Sequence, residues 1–176
     1  VSGLYPLPTR WAPYKGFATS PAYIYAIMRQ ESKFDPSITS SAGAKGLMQM
    51  LPTTANYMLK KADLGHMPKW MLKLPGLNVT LGQQYITYLN QTFNSNPIYM
   101  FAAYNAGPSN VKKWQKQFED VDPITFIESI PFTETRTYVK RVLTNFWFYQ
   151  YQLEEDSPSL LALSNQQWPT VQLAAR

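Results

Sequence analysis

The sequence predicts an all-α fold, and three observations carry that prediction. Proline repeatedly follows or opens a run of helix-forming residues, as at Ser20-Pro21, Pro52, Pro97 and Asp122-Pro123, where it suits a first turn that has no use for its missing N–H. Apolar residues recur three and four positions apart. Strand-type alternation is hard to find, and there is no internal repeat or low-complexity segment.

Residues 1–20 carry Gly3, Pro6, Pro8, Pro13 and Gly16 and read as an extended arm. Ser20 then caps a helix that begins at Pro21 and runs to about Ser32. The stretch from Asp35-Pro36 to Gly46 is rich in Ser, Thr and Gly and reads as an ordered loop. A second helix is expected from Pro52 to about Lys61, and a second loop over residues 63–77, with Gly65, Pro68, Pro75 and Gly76. Asn78 is read as the cap of a third helix reaching about Phe93, with Gly82, Tyr85, Ile86, Leu89 and Phe93 on one face. Pro97 opens a fourth helix, which Gly107-Pro108 ends. Ser109 is read as the cap of a fifth, with Val111, Trp114 and Phe118 inward, and Asp122-Pro123 opens a short sixth to about Ser129. Thr133 is read as the cap of a long last helix bearing Tyr138, Val139, Val142, Phe146 and Tyr149 at helical spacing. After Glu154-Glu155-Asp156 the tail reads as less regular.

Composition removes several classes of chemistry. With no cysteine there is no disulfide scaffold, thiolate metal site or cysteine nucleophile. A single histidine, His66, rules out a multi-histidine metal site, and its loop position reads as surface. No phosphate-binding glycine loop, dinucleotide fingerprint, zinc-protease motif or nucleophile elbow is present. No apolar run approaches the roughly 18 residues of a membrane span. The net charge of +5 is mostly scattered, and Lys112, Lys113 and Lys116 read as a solvated face, so no nucleic-acid partner is expected. The chain begins at Val1 without a signal segment, which is expected of a processed product or an excised piece.

Carboxylates are therefore the natural acid–base candidates, and only 11 exist. Glu154, Glu155 and Asp156 form a solvated cluster; Glu119, Asp120 and Asp122 flank a helix end. Glu31 stands out because Ile24, Ile27 and Met28 precede it by seven, four and three residues, on one helical stripe. A carboxyl there is partly desolvated, which favours its protonated form, as a general acid requires. The same position also fits a frayed helix end facing water. Glu134, in the first turn of its helix, complements the helix dipole whether or not it has a further task. Asp35 before Pro36 suits a turn, and Glu128 has no evident role. Aromatic residues make up 15% of the chain; most are expected in the core, but Tyr104 beside Asn105 pairs a ring with an amide, as a sugar-binding surface does.

Four segments can be read together: Gln30-Glu31-Ser32-Lys33-Phe34, Gly43-Ala44-Lys45-Gly46-Leu47-Met48-Gln49, Ala103-Tyr104-Asn105-Ala106-Gly107, and Ile130 to Val139 with Glu134-Thr135-Arg136 at its centre. In this order and spacing the chain resembles the catalytic domain of the soluble lytic murein transglycosylases of the Slt type, over roughly residues 20–150. The resemblance implies a lysozyme-like fold of the goose-type branch, with a groove for a glycan strand. It implies non-hydrolytic cleavage of the β-1,4 bond between N-acetylmuramic acid and N-acetylglucosamine in peptidoglycan, leaving 1,6-anhydromuramic ends. Its one essential glutamate corresponds to Glu31, the residue that helical spacing also singles out.

Other roles come from the resemblance position by position. Ser40 matches a serine that polarises the catalytic carboxyl or holds the acetamido group. Gln49 matches a sugar-binding amide, and Tyr104 and Asn105 match residues near the scissile bond. Glu134 matches a ligand for an acetamido N–H or a hydroxyl. Tyr138 and Phe34 supply stacking or packing, and Met48 lines the groove or, as methionines more commonly do, the core. Gly43 and Gly46 answer to turns. The implied organisation is an N-terminal arm over 1–20 that joins a helical region outside this chain, a catalytic domain over 21–153 and a tail over 154–176. The implied location is the periplasm; no cofactor or metal is expected, and partners among cell-wall synthesis or division proteins stay unassigned. Two other readings remain open: a muramidase using Asp35 or Glu134 to activate water, and a module that binds glycan without cleaving it.

Overall fold

The computed structural model describes residues 3–169. Among these residues there are eight α-helices and no strand: α1 (Pro21–Ser32), α2 (Pro52–Lys61), α3 (Pro75–Thr92), α4 (Pro97–Ala106), α5 (Pro108–Gln117), α6 (Pro123–Ser129), α7 (Thr133–Gln152) and α8 (Pro158–Ser164). All but α7 open on proline. A short 3-10 helix, Lys69–Lys73, interrupts the second expected loop. No helix among the described residues is long and apolar enough to cross a membrane.

Side-chain caps mark three of the helix starts. The Ser20 side chain accepts from the Ala22 N–H, Asn96 accepts from Ile98 and Tyr99, and Asp122 accepts from Ile124 and Thr125, each satisfying donors that the first turn leaves unpaired. Three expected caps are corrected. Asn78 lies inside α3, which starts three residues earlier at Pro75. Ser109 lies inside α5, whose cap position is Gly107, at φ 84°. Thr133 is the first helical residue of α7, with Phe132 before it. The tail is also more regular than expected, since it contains α8; residues 1–2 of the arm and 170–176 of the tail lie outside the described residues.

The described chain divides into two compact units, residues 3–87 and 88–169, with the dividing point inside α3. In the first, α1 is buried on every side from Ala22 to Met28, as a helix that is apolar all round must be. The described residues of the arm hold no helix and are tied down by hydrogen bonds: Tyr14 N donates to Thr80 Oγ1 (2.9 Å), Ala18 N to Gln83 Oε1 (2.9 Å) and Gln83 Nε2 to Gly16 O (3.3 Å). In the second unit α4 packs on α5 and α7, and α6 packs on α7. Phe101 of α4 meets Phe146 of α7 edge to face at 5.9 Å. The Trp168 ring lies 4.9 Å from Tyr99 and 5.6 Å from Phe126, and its Nε1 donates to Val121 O. Trp147 Nε1 to Ser159 Oγ and Gln150 Nε2 to Asp156 O anchor the approach to α8. The tail residues up to 169 thus join the packing of this unit.

Candidate functional site

In the first unit, Glu31 is half-buried in the last turn of α1. Because Ala22–Met28 are all buried, the apolar stripe does not by itself distinguish Glu31; its place where the buried helix ends does. The chain stops abruptly there. Lys33 (φ 50°) and Phe34 (φ 68°) are both left-handed, a conformation that side-chain sterics disfavour and that persists only where surroundings enforce it. Ser32 does the enforcing. Its buried Oγ donates to Leu47 O (2.7 Å), lies 3.2 Å from Met28 O, and accepts from Phe34 N (3.1 Å). One hydroxyl therefore joins the helix end, the left-handed turn and the following loop. Two residues before Glu31, the Arg29 guanidinium sits 4.1 Å from the centre of the Tyr5 ring, within cation–π range.

The loop over residues 38–50 is built from its own polar groups. Ser40 N donates to Ala44 O, and Ser40 Oγ accepts from Ala44 N. Lys45 and Met50 exchange two backbone hydrogen bonds. Gln49 (φ 47°) donates through Nε2 to Gly46 O (2.9 Å) and Ile38 O (3.2 Å). Beneath the loop lies the fully buried Asn78 of α3. Its Oδ1 accepts from Met48 N (2.8 Å), and its Nδ2 donates to Lys45 O (2.8 Å) and Leu72 O (2.7 Å). Gly46, at φ 77°, is required here on two counts: a Cβ would fall 2.6 Å from Asn78 Nδ2 and from Leu72 O.

Met48 is a correction to the expected ligand set. It is wholly buried, and a Cβ on Gly82 would come within 2.2 Å of its sulfur. It packs the loop onto α3 and has no surface to offer a sugar. Ser40 and Gln49 are half-buried, and the amide nitrogen of Gln49 is committed to the loop. Asp35 is an exposed turn carboxylate: hydrogen bonds from the Ser37 hydroxyl (2.7 Å) and N–H (2.8 Å) hold it below the ordinary carboxylate range, which makes it a poor base.

In the second unit, Tyr104 and Asn105 are half-buried in the last turn of α4. Gly107 ends that helix at φ 84°, its N–H donating to Ala103 O. Asn105 links α4 to the start of α7: Nδ2 donates to Glu134 Oε1 (3.3 Å), and Oδ1 accepts from Thr135 Oγ1 (2.7 Å). Glu134 is exposed and Thr135 is buried. Tyr138, one turn further on, is only 5% exposed, so it supplies packing more than an open face. Arg136 donates to Glu128 O, and Lys140 pairs with the Glu128 carboxylate; this gives Glu128 its structural place. Lys112, Lys113 and Lys116 are all exposed.

Spacing alone passed over Ser32, Asn78 and Thr135. Ser32 lies four residues after Met28, and Thr135 lies three and four before Tyr138 and Val139. Both positions fall on buried helical faces, which was the available signal. Among the described residues no cluster of His, Cys, Asp or Glu is arranged to hold a metal ion.

Comparison with known proteins gives the following matches. Residues 12–127 match the model of the transglycosylase SLT domain, and residues 129–158 that of the soluble lytic transglycosylase helical domain. The chain is 41% identical over 143 residues to the soluble lytic murein transglycosylase of Escherichia coli (strain K12), covering 80% of this chain and 22% of that protein. It is similar in structure to an inactive mutant of the lytic transglycosylase Slt from Pseudomonas aeruginosa in which glutamine replaces a glutamate (TM-score 0.73, 38% identity, 78% of this chain and 22% of that one). It is also similar to the 70-kDa soluble lytic transglycosylase in complex with bulgecin A (TM-score 0.80, 36% identity, 97% of this chain and 27% of that one). The chain thus spans about a fifth to two fifths of the length of the curated relatives it matches.

Proposed function

The chain belongs to the transglycosylase SLT domain family, and from that premise we propose that it is a peptidoglycan lytic transglycosylase with Glu31 as its single acid–base group. The observation that carries the reading is the setting of Glu31. It is a half-buried carboxyl at the end of a buried helix, next to a strained turn that a buried hydroxyl holds in place. Strain retained at such a point is characteristic of functional sites. A relative inactivated by a glutamate-to-glutamine change supports a glutamate as the essential group.

The proposed reaction needs no water and no second carboxylate, unlike the paired-carboxylate route of most glycosidases. Protonated Glu31 gives its proton to the oxygen linking C1 of N-acetylmuramic acid to C4 of N-acetylglucosamine. The C1–O bond breaks, and the acetamido oxygen of the muramic residue stabilises the charge at C1. Glu31, now a carboxylate, takes the proton from the C6 hydroxyl, and O6 bonds to C1. The products are a 1,6-anhydro muramic end and a free C4 hydroxyl, and Glu31 regains its proton. The nucleophile belongs to the same sugar, so its effective concentration is far above that of an external alcohol.

The remaining assignments are proposals of the same reading. Ser40 orients the acetamido group or the carboxyl, and Gln49 is a sugar ligand through the part of its amide not bound to the loop. Tyr104, Asn105 and Glu134 are sugar ligands. Asn105 retains an N–H and Glu134 an oxygen beyond the bond between them, which is the donor and acceptor that an acetamido group needs. Residues 21–153 form the catalytic piece, acting on cell-wall glycan in the periplasm.

Digestion of purified peptidoglycan tests the reaction class. Muropeptides lighter by one water than reducing-end products are the expected result. Reducing ends would make the chain a hydrolase, and glycan binding without products would make it a binding module.

A further inference from the structure

The amide of Asn105 can be turned either way about its last torsion, and its partners decide which. A carboxylate only accepts hydrogen bonds, so the face of the amide toward Glu134 Oε1 must be the NH2 group (3.3 Å). The amide oxygen then faces Thr135 Oγ1 at 2.7 Å, and the hydroxyl must donate. The three side chains form one directed chain: Thr135 to Asn105 to Glu134. Its two ends are consecutive residues in the first turn of α7, one buried (1% exposed) and one in solvent. The start of α7 therefore grips both ends of an amide carried by α4.

Resting on the transglycosylase reading above, we propose that Thr135 is a positioning residue that sets the orientation of Asn105 and, through it, the donor–acceptor pair offered to an acetamido sugar. Without the hydroxyl, a flip would aim Oδ1 at the carboxylate, and repulsion would drive the two ligands apart. The loss should fall on glycan binding more than on bond breaking, because Thr135 touches neither the bond nor Glu31 in this scheme.

The test measures peptidoglycan cleavage by the 176-residue chain and by Thr135→Val, Thr135→Ser, Asn105→Ala and the Asn105→Ala/Thr135→Val double variant, with a melting curve for each. Thr135→Val should raise KM by roughly five- to tenfold, the size of one misplaced polar contact, with kcat within about twofold. Thr135→Ser should restore KM, and Thr135→Val should add nothing on the Asn105→Ala background, since coupled residues are not additive. If Thr135→Val does not fold, Thr135→Ala takes its place in the same cycle. The proposal is overturned if the hydroxyl-free variant has a normal KM, if Thr135→Ser is equally impaired, or if the losses add in full. Wild-type chain that releases no muropeptides would overturn the transglycosylase reading, and the role of Thr135 with it; wild-type cleavage with an unmoved Thr135→Val overturns the positioning role alone.

Discussion

The two units hold their candidate residues by different means. In the first, the surroundings of Glu31 are fixed by buried polar groups: Ser32 pins the helix end to Leu47, and Asn78 carries the loop over 38–50 from below. In the second, Asn105 and Glu134 lie at or near the surface and are joined by hydrogen bonds to each other and from the buried Thr135, while the unit that carries them is held by the packing of α4 on α7 and by the aromatic cluster of Tyr99, Phe126 and Trp168. A buried hydrogen bond is sensitive to the loss of one atom, because the orphaned partner cannot turn to water. Ring packing is sensitive to lost volume and indifferent to polarity. The two halves should therefore fail under different substitutions.

Asn78→Ala should have the largest effect. It strands Met48 N–H and the carbonyls of Lys45 and Leu72, and a loss of roughly 3–4 kcal/mol is expected. Chemical denaturation would show it, together with loss of cleavage as the loop slackens. Next comes Trp168→Ala, which removes two ring contacts and the hydrogen bond to Val121 O. It should cost about 2–3 kcal/mol, seen as a lower melting temperature, while substitution by Phe should recover most of the loss. If Trp168→Ala melts like wild type, the second unit does not depend on its rings. Ser32→Ala should cost about 1–2 kcal/mol, yet reduce cleavage by more than that stability loss explains, because it frees the turn beside Glu31. Equal loss of stability with unchanged cleavage would separate Ser32 from the chemistry.

The smallest effect concerns pH. Asp122 is held below its ordinary range, first by the Thr125 hydroxyl and then by the Thr125 N–H. A depressed carboxylate contributes stability that is full above its unfolded pKa of about 3.9 and is lost as pH falls through the lower folded value. Acid should therefore weaken the α6 cap, and Asp122→Asn should flatten that part of the profile in melts taken between neutral and acid pH. A profile as steep in the variant would assign the acid sensitivity elsewhere.

Much of this was legible in the sequence because proline and capping residues mark helix starts locally. Ser20-Pro21, Asn96-Pro97 and Asp122-Pro123 each bear a side chain that pairs with its own first turn. The failures share a cause. Asn78, Ser109 and Thr133 are residue types that cap well, but Pro75 and Pro108 had already begun the helix and Thr133 is itself the first helical residue, after Phe132. Asn78 is instead held by partners six to thirty-three residues away, and no local pattern reports those. Met48 followed the motif into the ligand list, although its packing against Gly82 makes it core. Of the candidate site, Glu31 was visible twice, in spacing and in motif. Thr135 stood within a motif segment and on the inner face of α7, but neither assigned it a role.

Replacing Glu31 by glutamine tests the central claim most directly. The variant keeps the size and hydrogen-bonding reach of the side chain but can neither give nor take the proton. Release of 1,6-anhydro muropeptides from purified peptidoglycan should fall by at least roughly 10²–10⁴-fold, the usual contribution of a general acid or base, with melting and glycan binding unchanged. Cleavage within about tenfold of wild type would contradict the account, because the proton would then be moving through some other group.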